Sequence, residues 1–390
     1  YDIDAARVAQ VRDGQSPVSN VSGPALEALV RAGQLEATTD PAALATLDAA
    51  IICVPTPLTP ARQPDLSAVV AASETLGARL HRDMLVALQS TSHPGTTRNV
   101  VLPRLAQSGL RVGEDFCLVF APERIDPGNP VYGVENTPKL VGGITPRCTA
   151  LGTLLFERFI ERVVAVSSPE VAEMAKLVEN TFRFINISFA NEMALLCDRL
   201  GLNVWEVIDA AATKPFAFLP HYPGPGVGGH CIPVVPFYLE AVARQHGMVA
   251  ELVEVAGRIN AAMPEFVVER LARLLDPTAA EAPRVLAVGV TYKADIADLR
   301  ESAALRVLEL LLARGWSVEY HDPLVPRVMV SGRVLESQPL ALAGEVDAVV
   351  LLTPHSNLDY RLLLDRAPLV LDTTNALRRQ PPGAARVVPL

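Results

Sequence analysis

Short apolar runs closed by proline or hydroxyl residues, each followed by a helical stretch, constrain this chain more than any other feature. Ala49–Val54 is a buried-strand run stopped by Pro55 and Pro57. Residues 65–80 carry a helical pattern. Met84–Gln89 is a second apolar run, Thr97–Ser108 a second helix and Phe116–Phe120 a third strand. Strands alternating with helices imply right-handed βαβ units and a parallel sheet. Residues 1–165 therefore read as a doubly wound α/β domain.

The texture changes at Ser168-Pro169-Glu170, a hydroxyl N-cap, a proline at the first helical position and an early acid. The helical pattern that follows runs to about Arg199 and ends at Gly201, long for a globular helix. Helices are expected again at 204–213 and 235–275, around a Pro/Gly stretch at 215–233. Residues 166–275 read as a helical middle domain. Beyond Pro277 and Pro283 the α/β texture returns. Strands are expected at Val285–Val290, Ser317–Tyr320, Ala348–Leu352 and Leu369–Leu371, with a helix at 302–315. Residues 276–390 read as a second α/β domain. The fold class is α/β, two Rossmann-like doubly wound domains joined by a helical middle region with a long connecting helix.

Composition removes several function classes. The 390 residues carry a formal net charge of −9, against a broad basic surface for nucleic acid. No apolar run is long enough for a transmembrane helix, and no signal peptide is visible. The five cysteines contain no CxxC pair, against a disulfide framework or a metal site, and suit a cytoplasmic location. Of 34 basic residues only four are lysine: Lys139, Lys176, Lys214 and Lys293. Where arginine is used so freely, a retained lysine marks a position that needs a compact, titratable ammonium, or else chance.

Seven segments carry chemistry. Pro223-Gly224-Pro225-Gly226-Val227-Gly228-Gly229-His230-Cys231-Ile232-Pro233 sets a cysteine beside a histidine in a glycine-dense loop. Such a loop lets backbone approach a ligand, and a nearby cation would favour the thiolate. The plainer reading, a buried structural cysteine, suits Cys53, Cys117, Cys148 and Cys197; Cys231 reads as a nucleophile. Lys176 and Asn180 are four apart on the long helix and share a face. Glu173, Glu179, Arg183, Asn186, Asn191 and Glu192 lie on the same helix. Glu179 reads as solvated, and the repeated asparagines suggest hydrogen-bonding duty. Thr56, the segment Gln89–Thr97 and Ala121-Pro122-Glu123-Arg124 each follow a strand, where open α/β sheets bind ligands. Lys293, Asp298 and Arg300 follow another, and suit phosphate recognition. Asp2, with Arg7 on the helix after it, fits the acid that ends the second strand of a dinucleotide-binding unit. The preceding strand and its G-x-G-x-x-G turn are expected upstream and are absent from these residues.

Together these motifs resemble the nucleotide-sugar 6-dehydrogenases, the UDP-glucose/UDP-N-acetylglucosamine/UDP-N-acetylmannosamine dehydrogenase family, over essentially the whole chain. The matching segments are Val54–Pro57, Ser90–Thr97, Ala121–Arg124, Lys176–Asn180, Gly228–Pro233 and Lys293–Arg300. Lys214-Pro215-Phe216 leading into Tyr222–Gly226 looks most like the UDP-N-acetylglucosamine branch. The resemblance implies an NAD-dependent four-electron oxidation of a sugar C6 alcohol through a cysteine thiohemiacetal and thioester, in polysaccharide biosynthesis. It implies Cys231 as nucleophile, Lys176 stabilising the alkoxide and oxyanion, Asn180 positioning oxygens or water, and Glu123 and Thr91 handling water. Asp2, Arg7, Thr56, Thr91 and Arg300 are implied to contact NAD; Lys293, Lys214, Asn180, Gly228 and Gly229 the UDP-hexose or UDP-N-acetylhexosamine. A homodimer through the middle domain is implied, with no nucleic-acid partner, membrane contact or metal.

One departure matters. The family carries aspartate four residues after its cysteine, where this chain has Val235, removing a group implied to assist the lysine and the water. The alternatives are a non-catalytic nucleotide-sugar-binding homologue, or a dehydrogenase of UDP-glucose or UDP-N-acetylmannosamine. All four lysines fall in family-matching segments, yet Lys139, just before Val141-Gly142-Gly143, has no assigned role.

Overall fold

The computed structural model describes residues 1–18, 21–229, 231–275 and 281–390. These fall into two compact units, Tyr1–Glu179 and Asn180–Leu390. No helix among the described residues is long and apolar enough to cross a membrane.

The first unit holds α1 (Ala5–Arg12), α2 (Gly23–Arg31), β1 (Ala49–Ile52), α3 (Ser67–Gly77), β2 (Leu85–Leu88), α4 (Leu102–Leu105), β3 (Cys117–Phe120), β4 (Lys139–Gly143), α5 (Pro146–Phe156) and β5 (Val163–Val166). The Asp4 side chain starts α1 by accepting from the N–H groups of Ala6 and Arg7. The sheet runs β1-β2-β3-β4-β5. Its pairs are parallel except β3 with β4, where Phe120 faces Gly142 in antiparallel register. Every residue of β2 and β3 is buried, which is why they read as unbroken apolar runs. Met84, Val86, Leu88, Leu118 and Phe120 form the core on one side with Val69, Leu76, Val101 and Leu105 from the helices.

Two details of this unit differ from the sequence reading. The helix expected over 97–108 is three short pieces, a π turn at Thr97–Val101, α4 and a 3-10 turn at Ala106–Ser108. Strands β4 and β5 lie in a stretch not read in detail; β4 hides in Lys-Leu-Val-Gly-Gly, a sequence poor in strand formers. Gly142 is needed there because a Cβ would stand 2.1 Å from the carbonyl oxygen of Ser168.

Helix α6 (Pro169–Leu200) is the long helix expected from Ser168, and it crosses from the first unit into the second. The second unit continues with α7 (Val204–Ala212), α8 (Val235–Gln245), α9 (Glu251–Leu274), β6 (Arg284–Val288), α10 (Ala303–Ala313), β7 (Ser317–His321), β8 (Arg327–Val330), β9 (Arg333–Glu336), β10 (Ala348–Leu351), α11 (Tyr360–Arg366), β11 (Leu369–Asp372) and β12 (Arg386–Pro389). The helix expected over 235–275 is two, α8 and α9, separated at Gly247, whose φ is +71°. A fully parallel sheet runs β12-β11-β10-β6-β7. The hairpin β8–β9 stands beside it as a second, two-stranded sheet. Helices α9 and α10 cover one face of the large sheet, and α11 with its neighbours the other.

Candidate functional site

In the first unit the carboxyl ends of β1, β2 and β3 carry Thr56, Thr91 and Glu123 on adjacent strands. Ser90 ties the first two: its Oγ accepts from the N–H of Val54 at 2.8 Å and donates to the Val54 carbonyl at 2.8 Å. Glu123 is held harder. Its Oε1 accepts from the N–H groups of Arg124 and Ile125 at 2.8 and 2.9 Å. Its Oε2 accepts from Gln89 Nε2 at 3.0 Å and from Lys139 Nζ at 3.1 Å. Partial burial pushes the Glu123 carboxyl up, but Lys139 and the two backbone donors outweigh it and hold it below the usual range.

Lys176 lies on α6 with its side chain buried. Its charge and that of Lys139 repel across the site, and Lys139 is lowered chiefly by burial, against the pull of Glu123. Arg124 also reaches α6, its guanidinium 2.8 Å from Glu179. Glu179 is thus paired and only part-exposed, where a solvated face was expected.

Glu173, one turn before Lys176, has no exposed surface. Its Oε1 accepts from the N–H and Oγ1 of Thr97 at 2.8 and 2.7 Å, and its Oε2 from the N–H of Gly95 at 2.7 Å. A buried carboxylate thus fastens the start of α6 to the loop that follows Thr91. Burial drives its proton affinity up to about 7 against those hydrogen bonds, and the Glu170 carboxylate adds to the rise.

Asp2 and Arg7 pair with each other at 3.8 Å, both well exposed, at the start of α1. An acid and a cation at a helix start, with hydroxyls and a carboxylate at consecutive strand ends, are a donor and acceptor set that fits a dinucleotide.

In the second unit the glycine loop lies on the β6 strand end. The N–H of Gly229 donates to the Arg300 carbonyl at 3.1 Å. Cβ atoms at Gly228 and Gly229 would stand 2.8 and 2.7 Å from the Tyr292 side chain. Cys231 is exposed and lies within electrostatic range of Arg300, whose guanidinium is held by Asp298 at 2.6 Å. Residue 230, the histidine read beside the cysteine, lies outside the described residues. Lys293 sits on the same loop as Tyr292. Lys214 is exposed with its ammonium 4.9 Å from the Phe216 ring centre, two residues along its own loop.

The glycine loop is anchored from beneath. Asn191 accepts from the N–H of Gly224 at 3.0 Å and donates to Asn260 Oδ1 at 2.8 Å. Asn260 in turn donates to Ser188. Asn191 and Ser188 are fully buried, so the asparagine noted on the helix does have hydrogen-bonding work. Asn180 keeps a buried Nδ2 that, among the described residues, has no hydrogen-bond partner. An orphaned donor of this kind is what a bound polar ligand or water would satisfy.

Two neighbours of the candidate site escaped the sequence reading. Asp322, after β7, accepts from the N–H of Val290 at 2.7 Å. His355, after β10, faces Asp322 at 3.1 Å through Nε2 and accepts from the N–H of Asp295 through Nδ1 at 3.0 Å. Both are buried and brace the loop that bears Lys293. Their signal was position: each ends a strand of the second sheet, where only the Lys293 segment drew notice.

Two nucleotide-type α/β units, one with a carboxylate and two lysines beside its strand ends and one with a thiol-bearing glycine loop, have the layout of a nucleotide-dependent oxidoreductase. Known proteins agree. Residues 1–160 match the NAD binding domain of the UDP-glucose/GDP-mannose dehydrogenase family, 170–262 its central domain and 286–379 its UDP binding domain. An NDP-N-acetyl-D-galactosaminuronic acid dehydrogenase of Ralstonia solanacearum is 36% identical over 90% of this chain and 84% of its own. A UDP-N-acetyl-D-glucosamine 6-dehydrogenase of Pseudomonas aeruginosa is 36% identical over 83% of this chain and 77% of its own. The solved UDP-D-ManNAc dehydrogenase of Pyrococcus horikoshii superposes with a TM-score of 0.89 at 31% identity, covering 100% of this chain and 92% of that one. The chain belongs to the UDP-glucose/GDP-mannose dehydrogenase family, as the motif resemblance implied. It is an NAD-dependent UDP-sugar 6-dehydrogenase.

Proposed function

We propose that the substrate is a UDP-N-acetylhexosamine, UDP-N-acetylglucosamine in particular, and that this chain carries its C6 alcohol through to the uronic acid. The overall change converts one alcohol, two NAD⁺ and one water to one uronate, two NADH and three protons. The observation that carries this reading is Cys231, exposed on a glycine loop that packs on the Tyr292–Arg300 strand end. Relatives named for N-acetylglucosamine, N-acetylmannosamine and N-acetylgalactosaminuronic acid support an N-acetylated sugar. The Lys214–Gly226 stretch supports the first of them.

NAD, when bound, supplies the two-electron acceptor for each oxidation, with Asp2, Arg7, Thr56, Thr91 and Arg300 as its contacts. Lys176 stabilises the negative oxygen at C6, as a nearly dry ammonium does. The Cys231 sulfur adds to the aldehyde carbon, and the carbonyl oxygen takes a proton to give the thiohemiacetal. After the second oxidation, water adds to the thioester carbon, the S–C bond breaks, and Cys231 leaves as thiolate. Asn180 positions the oxygens through its orphaned Nδ2, and Thr91 and Glu123 bind the water. Glu123 is held ionised, so it serves as a proton acceptor that is always available though weak. Gly228, Gly229, Lys293 and Lys214 contact the nucleotide sugar.

The same reading divides the chain into an NAD-binding part (1–165), a helical part (166–275) and a UDP-sugar-binding part (276–390). It places the protein in the cytoplasm, in surface polysaccharide synthesis, as a homodimer. Phe182, Phe189 and Leu196 recur every seven residues along α6 and are about half exposed, which supports that dimer.

The test is NADH formation by the purified protein with UDP-N-acetylglucosamine, UDP-N-acetylmannosamine, UDP-N-acetylgalactosamine and UDP-glucose. Two NADH per uronate, fastest with the first, is expected, with loss of all turnover in Cys231→Ser. No NADH with any UDP-hexose refutes the reading.

A further inference from the structure

Lys139 is a lysine with no assigned role in a chain that has 34 basic residues and only four lysines. It opens β4, and its side chain is 6% exposed. Burying an ammonium so thoroughly is costly unless it is paired. Its partner is Glu123 Oε2 at 3.1 Å, and the Phe156 ring lies beneath it at 5.3 Å from the centroid. The other titratable groups that face it are the Cys53 thiol, from the end of β1, and the Lys176 ammonium, from α6. Two cations and one carboxylate therefore meet at this sheet edge. The remaining partners of Glu123 are neutral: Gln89 and the N–H groups of Arg124 and Ile125. Arg124 itself spends its guanidinium on Glu179 and the Pro138 carbonyl.

We propose that Lys139 is a positioning residue for the reaction: its ammonium clamps Oε2 of Glu123 and supplies the countercharge that this carboxylate needs to act on water. The inference deepens the assignment of Glu123 to thioester hydrolysis and rests on it. One feature of the pair selects lysine: the contact is a single point charge on one carboxylate oxygen, not a two-pronged grip. The Phe156 face beneath adds to the seat of the cation without deciding its type. The depressed proton affinity of Glu123 agrees with this arrangement.

Lys139→Met and Lys139→Gln test it, the second keeping a hydrogen-bond donor while removing the charge. Two quantities are read against pH: the rate of NADH formation, and the ionisation of Glu123. The latter comes from carboxylate NMR of ¹³C-glutamate-labelled protein, the resonance being assigned by its absence in Glu123→Gln. Removing an opposite charge at this range raises a carboxyl midpoint by about one to three pH units. The expected result is that rise in both variants, with the acid limb of the rate profile moving up by the same amount. Lys139→Arg should restore much of the wild-type midpoint. An unmoved Glu123 midpoint in either folded variant overturns the inference, whatever the activity. A midpoint that rises while the rate profile stays put preserves the ion pair but overturns the part given to Glu123 in the chemistry. A midpoint and limb that move together support both.

Discussion

Replacing Glu173 by glutamine probes the joint between α6 and the loop after Thr91. The carboxyl is fully buried, and its proton affinity stands at about 7 against an ordinary value of 4.5. At roughly 1.4 kcal/mol per pH unit, that difference amounts to ~3 kcal/mol. Its sign follows from proton counting. Between those two values the folded chain holds a proton that the unfolded chain has released. The contribution is therefore fully present below the unfolded value and is lost as pH rises through about 7. Glutamine does not titrate. It also turns an amide N–H toward the N–H of Gly95 or Thr97, which costs about 1–3 kcal/mol at any pH. The variant should thus be the less stable form in acid, and the gap should shrink as pH rises. For a unit of this size 1 kcal/mol is worth roughly 2–4 °C, so the difference should move by on the order of 6–12 °C in the variant's favour, enough to close or reverse it. Thermal unfolding at constant ionic strength, from about pH 4.5 to about pH 8, measures it. Parallel curves for the two proteins would refute the argument, because they would mean that Glu173 titrates alike in the folded and unfolded chains.

Three further outcomes are expected. Gly142→Ala places a Cβ 2.1 Å from a backbone oxygen that cannot rotate away, so stability should fall by about 3 kcal/mol or more, read by denaturant unfolding. Asn191→Ala strips the Gly224 N–H and Asn260 of their buried partner; KM for the UDP-sugar should rise several-fold while KM for NAD⁺ holds within about twofold, since only the glycine loop is released. Val235 is 1% exposed in the first turn of α8. Val235→Asp should lower the melting temperature by several degrees, about 1–3 kcal/mol for an imperfectly partnered polar group, yet speed loss of the sugar adduct on Cys231 by mass spectrometry.

Much of the architecture was legible because its strands are short apolar runs, β2 and β3 being buried on both faces. Ala49–Val54, Met84–Gln89 and Phe116–Phe120 stand out as apolar runs, and β1, β2 and β3 fall inside them. Residues 139–143 did not, since a charged residue and two glycines mask a strand whose burial comes from packing rather than composition. The helix expected over 97–108 was broken by geometry no periodicity records: Glu173 seizes the Gly95 and Thr97 N–H groups, and a π turn follows. For the candidate site, residue types and strand ends singled out Thr56, Thr91, Glu123, Cys231, Lys293 and Arg300. What they did not give was partnership. Lys139 is sixteen residues from Glu123, and His355 thirty-three from Asp322. Only pairing of strands brings such residues within reach.

The reversed neighbour in the first sheet has a consequence of its own. A parallel sheet presents only the closing residues of its strands along the ligand-binding rim; their opening residues lie at the far margin. Because β4 runs against β3, it lends that rim its first residue. The rim is thus supplied from both directions of the chain, and the residue it receives this way is fixed by register alone. Sliding β4 by one position would bring Pro138 or Leu140 opposite Glu123 and turn the ammonium to the other face. Residues inserted between 125 and 136 would be absorbed by the connection, while one residue added within β4 would leave the carboxylate without its cation.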